Sequence, residues 1–214
     1  MDDFTVLVDY GSGNIRSVAK ALEHAALEAG FAPPVVTSDP MRVAAARRIV
    51  LPGQGAFADC LSGLAAVDGL IDALCEAVLD RQVPFLGICV GMQLLADEGY
   101  ENGIHNGLGW IPGKVVPFPS DLPLEVKIPH MGWSQVKAQR EHSVTKALDK
   151  QSVYFAHSYH FLATDPNHVL LRANHGLPLV SAVGRDNILG VQFHPEKSQS
   201  AGLGFVKAFQ QWQP

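Results

Sequence analysis

The chain has 214 residues, 47% of them hydrophobic and 17% charged, with a formal net charge of −5 at pH 7. That length suits one sizeable α/β domain, the apolar share builds a core and excludes a disordered chain, and the mild acidity leaves no electrostatic footprint for nucleic acid or an anionic membrane. Three cysteines, Cys60, Cys75 and Cys89, with no CxxC spacing, argue against a disulfide framework and for a reducing, cytoplasmic setting. Met1, Asp2 and Asp3 run into an apolar stretch with no basic segment before it, so no signal peptide is expected, and no apolar run is long enough to span a bilayer.

In chain order, residues 4–9 read as a strand and residues 14–29 as a helix that closes at Gly30. Residues 35–37 and 49–51 read as short strands, the second stopping at Pro52 and Gly53. Two Ala/Leu-rich helical stretches end near Leu79, and residues 83–88 form another apolar strand. This alternation predicts a mostly parallel open sheet flanked by helices. Beyond it, residues 108–136 are rich in Pro, Gly and β-branched side chains. Closely spaced strand patterns at 153–155, 169–172, 179–183 and 189–193 predict antiparallel strands added to that sheet, and residues 199–212 a closing helix. With no repeat, low-complexity tract or dividing linker, residues 1–214 read as a single domain.

Chemistry concentrates in three places. Gly87-Ile88-Cys89-Val90-Gly91 follows an apolar strand and precedes Met92-Gln93-Leu94-Leu95, which reads as a helix. This is a nucleophile elbow with Cys in place of Ser: small neighbours permit a sharp turn, the thiol is lifted out of the sheet, and a helix N-terminus favours thiolate. The competing reading is a buried structural cysteine, the one adopted for Cys60 and Cys75. A thiolate nucleophile needs a base and a proton donor. Of nine histidines, His194 in Val191-Gln192-Phe193-His194-Pro195-Glu196 stands just past an apolar strand. Parallel strand ends gather at one sheet edge, so His194 can meet Cys89, with Glu196 fixing its tautomer. Alone, His-Pro-Glu is an ordinary solvated turn; joined to the elbow it is functional. Third, Leu51-Pro52-Gly53-Gln54-Gly55-Ala56 follows a short strand, and its glycines let backbone N–H groups approach a developing oxyanion, with the Val90 N–H as a second donor. A plain Pro-Gly turn is the alternative there.

The combination of PGQGAF, GICVGMQ and HPEKS, spread in order over nearly the whole chain, resembles the class I (triad) glutamine amidotransferase family. The match narrows with four stretches, Asp9-Tyr10-Gly11-Ser12-Gly13-Asn14, Ile128-Pro129-His130-Met131-Gly132-Trp133, Tyr154-Phe155-Ala156-His157-Ser158-Tyr159 and the same His194-Pro195-Glu196-Lys197-Ser198, which are similar to the branch that serves as glutaminase subunit of imidazole glycerol phosphate synthase. Members feeding other synthases commonly carry His at the position of Met92 and lack the PHMGW-like stretch. Gln54 and Val90 depart from the aliphatic residue and Leu frequent in the family, but both positions act through backbone N–H groups.

The resemblance implies a flavodoxin-like sheet, a Cys89–His194–Glu196 triad, and an oxyanion hole near Gln54 and Val90. It implies glutamine contacts at Gly53, Gly55, Gln93 and the Ser158-Tyr159 backbone. It also implies glutamine hydrolysis through a thioester without metal or organic cofactor, and a heterodimer with a (β/α)8-barrel cyclase subunit that takes the ammonia for histidine biosynthesis. Asn14 and Lys197 would lie near that partner. The chain is too short to hold such a barrel itself. The PGQG loop is the expected switching element. Rival readings are a glutaminase for another synthase, a non-catalytic binding subunit on the same fold, and a cysteine hydrolase acting on γ-glutamyl peptides. Gly11-Ser12-Gly13-Asn14-Ile15-Arg16 lacks the third glycine of a dinucleotide loop and reads as a tight turn. His157 and His160 lack further ligands at metal spacing. Tyr154, Phe155, Tyr159 and Phe161 read as packing and pocket wall, and Trp133 as core or interface.

Overall fold

The computed structural model describes residues 4–214; residues 1–3, whose charge pattern was read for a targeting signal, lie outside the described residues. β1 (Thr5–Val8) is buried along its whole length, as a strand covered on both faces must be. α1 (Ile15–Ala29) lays Val18, Leu22, Ala25 and Ala26 on one buried stripe and ends on Gly30 in the left-handed conformation at φ 77°. β2 (Val35–Thr37) leads to α2 (Pro40–Ala44), capped by Asp39, whose side chain accepts the Met41 N–H at 2.9 Å. Five residues carry no readable period, which is why α2 is absent from the sequence pattern.

β3 (Arg48–Gly53) runs two residues past its expected end: Pro52 and Gly53 stay in register with Ile88 and Cys89 of β4 (Phe85–Cys89). The pairing with β1 stops at Leu7–Val50, and Tyr10 Oη donates to the Pro52 carbonyl at 2.7 Å. The proline's missing N–H therefore falls where the neighbouring ladder has already ended. α3 (Phe57–Ala65) and α4 (Leu70–Cys75) follow β3, α4 passing into a wider π turn over Glu76–Asp80. α5 (Val90–Gln93) is a single turn after β4; it starts two residues before the expected Met92–Leu95 stretch and ends at Gln93, because the Leu95 and Ala96 N–H groups fall back to i−3 carbonyls.

The later strands are β5 (Glu98–Gly99), β6 (His105–Asn106), β7 (Gly113–Pro117), β8 (His130–Gln135), β9 (Lys137–Ala138), β10 (Ser152–His157), β11 (Tyr159–Ala163), β12 (Val169–Asn174), β13 (Pro178–Arg185) and β14 (Ile188–Val191). α6 (Gln199–Gln210) closes the chain against α1, where Gln210 Nε2 donates to the Leu22 carbonyl at 2.9 Å. The main sheet has the order β2-β1-β3-β4-β14-β13-β12-β9. β2 through β14 in that order are parallel, and β13, β12 and β9 add antiparallel pairs, as the alternation and hairpin spacing predict. Not every later strand joins it: β8 and β10 pair with each other, and β11-β7-β5-β6 form another small sheet. β10 buries alternate residues and β8 buries only His130, so neither is a strand of a sheet covered on both faces. Among the described residues no helix is long and apolar enough to cross a membrane.

Candidate active site

β3, β4 and β14 are adjacent and parallel, so their C-terminal ends deliver the three motif regions to one edge of the sheet. Cys89 sits at the tip of β4 with φ 56° and ψ −112°, a region that a residue bearing a Cβ occupies only under strain. The flanking glycines are what make the turn possible. A Cβ on Gly87 would stand 2.4 Å from the Gly91 carbonyl oxygen, and one on Gly91 2.0 Å from that of Leu51. The elbow predicted from GICVG is thus built by close backbone approach. The one-turn α5 is too short to present a full helix dipole to the sulfur.

His194 follows β14 after Gln192 and Phe193. Its N–H donates to the Tyr154 carbonyl of β10 at 2.8 Å, and Ser198 Oγ donates to its carbonyl at 2.6 Å. With the backbone pinned on both sides, Nδ1 stands 2.9 Å from Glu196 Oε1, both side chains being buried. The remaining ring nitrogen is left for Cys89. Burial opposes a charge on His194, but its hydrogen bonds to Cys89 and Glu196 outweigh burial and raise the imidazole to about 9. Among the described residues Glu196 Oε2 is buried without a hydrogen-bond partner, while Oε1 faces the imidazole.

These groups border a cleft of about 320 Å³ whose lining includes Gln54, Gly55, Cys89, Val90, Gln93, Ser158, Tyr159, His194 and Lys197. Gly53 and Asn14 do not line it. Gly53 is a ladder residue of β3, where a Cβ would come 2.6 Å from the Gly91 N, whereas the left-handed turn of the loop is at Gly55, φ 98°, in open space. Asn14 precedes α1 without a side-chain capping bond. The Gln54 N–H points at Ser12 Oγ, 3.3 Å away, and Ser12 Oγ donates to the Gln54 carbonyl at 2.6 Å. In this arrangement the Gln54 N–H is turned to the β1–α1 loop. Cys60 Sγ backs the same hydroxyl at 3.1 Å, and burial keeps Tyr10 protonated as a donor to Pro52.

Five lining residues were not singled out as site residues from the sequence: Glu101, Pro129, Met131, Ala156 and His157. Pro129 and Met131 belong to the PHMGW stretch and Ala156 and His157 to YFAHSY, so the motifs held that signal. Glu101 has no local signature; it is placed by the Phe57 N–H, which donates to its Oε2 at 2.8 Å. It offers the cleft an anionic group suited to an ammonium. His157, weighed above as a metal ligand, instead faces His130 at 2.9 Å and the Tyr159 carbonyl at 2.8 Å. Burial, assisted by neighbouring histidines, holds His157 down at about 4 and His130 at about 3.

A family model described as glutamine amidotransferase class-I matches residues 6–209. The "Imidazole glycerol phosphate synthase subunit HisH" of Rhodospirillum rubrum is 53% identical over 97% of this chain and 98% of its own length. That of Zymomonas mobilis is 52% identical over 97% of this chain and 95% of its own. Among solved structures, one titled as a glutamine amidotransferase superposes with a TM-score of 0.71 at 19% identity, covering 95% of this chain and 98% of that one. A putative GMP synthase chain from Thermoplasma acidophilum superposes at 0.69 and 18% identity, covering 99% and 94%. Those two likenesses concern the fold; with the family model spanning residues 6–209 and the curated relatives matching from end to end, the chain belongs to the class-I glutamine amidotransferase family.

Proposed function

We propose that this chain is the glutaminase subunit of an imidazole glycerol phosphate synthase, hydrolysing glutamine to glutamate and ammonia for a separate cyclase subunit in the cytoplasm. The observation that carries the chemistry is the strained Cys89 beside an imidazole whose far nitrogen is held 2.9 Å from the buried Glu196. The naming of the relatives, about half identical along their lengths, supports the choice of synthase over other glutamine-dependent enzymes.

The Cys89 thiolate attacks the side-chain amide carbon of glutamine, and the carbonyl oxygen takes the negative charge. Val90 N–H and a peptide N–H of the 52–55 loop are the donors to that oxyanion. His194, charged beside the thiolate, gives its proton to the departing nitrogen, and ammonia leaves with the C–N bond. Neutral His194 then takes a proton from water as it attacks the thioester. Glutamate departs and the thiolate returns. Glu196 holds the imidazole's tautomer throughout. Gln93 and Glu101 hold the amino-acid end of glutamine together with the Ser158-Tyr159 backbone. Because the Gln54 N–H is engaged by Ser12, the free chain has one oxyanion donor turned away, which accords with a glutaminase that awaits its partner. That partner is a (β/α)8-barrel cyclase subunit, docked over the cleft so that ammonia passes between active sites without meeting bulk water; Asn14 and Lys197 lie toward it.

The test is glutamate release from glutamine by the chain alone and with a cyclase subunit plus its nucleotide substrate, with Cys89→Ala as control. Strong Cys89-dependent stimulation by the liganded cyclase is expected. Robust activity indifferent to the cyclase would reassign the synthase, and activity surviving in Cys89→Ala would overturn the chemistry.

A further inference from the structure

The Cys89 sulfur has a polar neighbour that the triad does not use. Gln192, the first residue after β14, is fully buried, and its Nε2 stands 3.7 Å from Cys89 Sγ. Its Oε1 accepts from Gln93 Nε2 at 3.0 Å, and Gln93 Nε2 also donates to the Tyr159 carbonyl at 3.1 Å. An amide can be turned end for end with little change of shape, so its nitrogen and oxygen are assigned from its partners. This chain of bonds has one end that admits no choice, because a backbone carbonyl only accepts. The atom of Gln93 facing Tyr159 is therefore the nitrogen. The same nitrogen meets Gln192, so the Gln192 atom there is the oxygen, and the one at the sulfur is the NH2 group. His157 holds the carbonyl from its other side: its Nδ1, 2.8 Å from the Tyr159 oxygen, must carry the proton.

We propose that Gln192 is a positioning residue for the nucleophile: its amide N–H, oriented by the Tyr159 carbonyl through Gln93, donates to the Cys89 sulfur and favours the thiolate. This rests on the reading of Cys89 as nucleophile and adds to it a donor of a different kind. His194 must surrender its proton to the leaving ammonia. Gln192 keeps its N–H at every step, so the sulfur still has a donor when His194 is neutral and the thioester releases thiolate. The arrangement also ties the nucleophile to Gln93, a wall of the cleft, through one shared amide.

The plain alternative is a buried glutamine that only braces β14 against α5. Gln192→Met keeps the length and removes both polar atoms; Gln192→Glu keeps the shape and puts a carboxylate at the sulfur. Each full-length variant is alkylated with iodoacetamide at pH 7 and at pH 10, and Cys89 is followed by mass spectrometry on its own peptide so that Cys60 and Cys75 do not count. A hydrogen bond to a charged sulfur predicts about tenfold slower alkylation at pH 7 for Gln192→Met, and less than about twofold at pH 10, where thiols ionise without help. Gln192→Glu is expected to be slower still at pH 7, and glutaminase kcat to fall in parallel in both. If either folded variant melts lower yet keeps the wild-type ratio of pH 7 to pH 10 rates, Gln192 is only a brace and the proposal is overturned. Alkylation reads the sulfur whether or not it is catalytic, so glutaminase activity surviving in Cys89→Ala would sink the nucleophile reading separately.

Discussion

His194 is the residue on which opposite physical demands meet. Burial would strip its charge, yet hydrogen bonds with Cys89 and Glu196 raise it to about 9. A histidine raised above its unfolded value contributes stability that is whole below about pH 6.5 and is lost as pH climbs through about 9. The stability margin of the wild-type chain over Glu196→Gln is therefore expected to shrink between pH 6.5 and pH 9.5 in urea unfolding. A margin that stays constant or widens would mean that the pair is not charged in the folded state. Glu196→Gln should also lower kcat about 100-fold or more, because a neutral amide neither stabilises an imidazolium nor enforces one tautomer. Glutamine KM should move far less, since Glu196 does not line the cleft.

Among the elements, the β1–α1 turn and the loop after β3 work as a pair. Ser12 Oγ accepts from the Gln54 N–H and donates to the Gln54 carbonyl, gripping the two successive peptide groups that flank the Gln54 Cα. Ser12→Ala releases both, and with them the Gln54 N–H. Basal glutaminase without partner should then rise about tenfold, a fraction of what a full oxyanion donor is worth, while the partner-stimulated rate stays near wild type. An unchanged basal rate would show that the latch is not at Ser12. A change at Gly53 would give no clean answer, because a side chain there collides with the elbow backbone. The contrast also marks what the sequence could reveal. Long apolar strands and α1 were legible because β1, β3 and β4 are buried on both faces and α1 has a full amphipathic period. Cys89, His194 and Glu196 were legible because strand ends converge and each sits in a motif at one. The bounds of the one-turn α5, the five-residue α2 and the separate pairing of β8 with β10 were not, because they are decided by tertiary contacts rather than by a local period. Neither was the Ser12–Gln54 grip, nor Glu101 and Gln192 as neighbours of the site, since such bonds join residues distant in sequence.

The β8–β10 pair carries a second prediction. His130 and His157 stay neutral far below the usual histidine value, with His160 and His175 close by and no carboxylate among the causes. As pH falls from about 6.5 toward 4, the unfolded chain takes up protons that the folded chain refuses, so stability falls. His157→Asn keeps a side-chain N–H for the Tyr159 carbonyl and removes one such group. Its urea-derived stability should lose less between pH 6.5 and 4.5, by up to about 1.4 kcal/mol per pH unit. A slope identical to wild type would mean that His157 is protonated in the folded chain.

At the scale of the whole molecule, the sheet edge that carries the cleft is bordered by exposed apolar side chains of β8. Met131 lines the cleft and is 65% exposed, and Trp133, two residues on along β8, is 48% exposed. Trp133 packs edge-on against Tyr154 at 6.0 Å, and the Lys197 ammonium stands 5.8 Å from the same ring. A large aromatic left half in water beside a cleft mouth, braced by a tyrosine and flanked by a cation, has the composition of an interface centre, where Trp and Tyr dominate binding energy. The chemistry asks for a cover at that place, since ammonia released into water is protonated and useless to a synthase. Trp133 itself is outside the cleft lining, so docking and catalysis can be separated experimentally. Trp133→Ala is expected to weaken association with the cyclase by about tenfold or more in titration calorimetry. The kcat and KM of the isolated chain should stay within about twofold of wild type, because no group that touches glutamine has changed. If affinity is retained, the cyclase docks on another face and the ammonia path does not leave past β8. If affinity and isolated activity fall together, Trp133 supports the cleft rather than the partner.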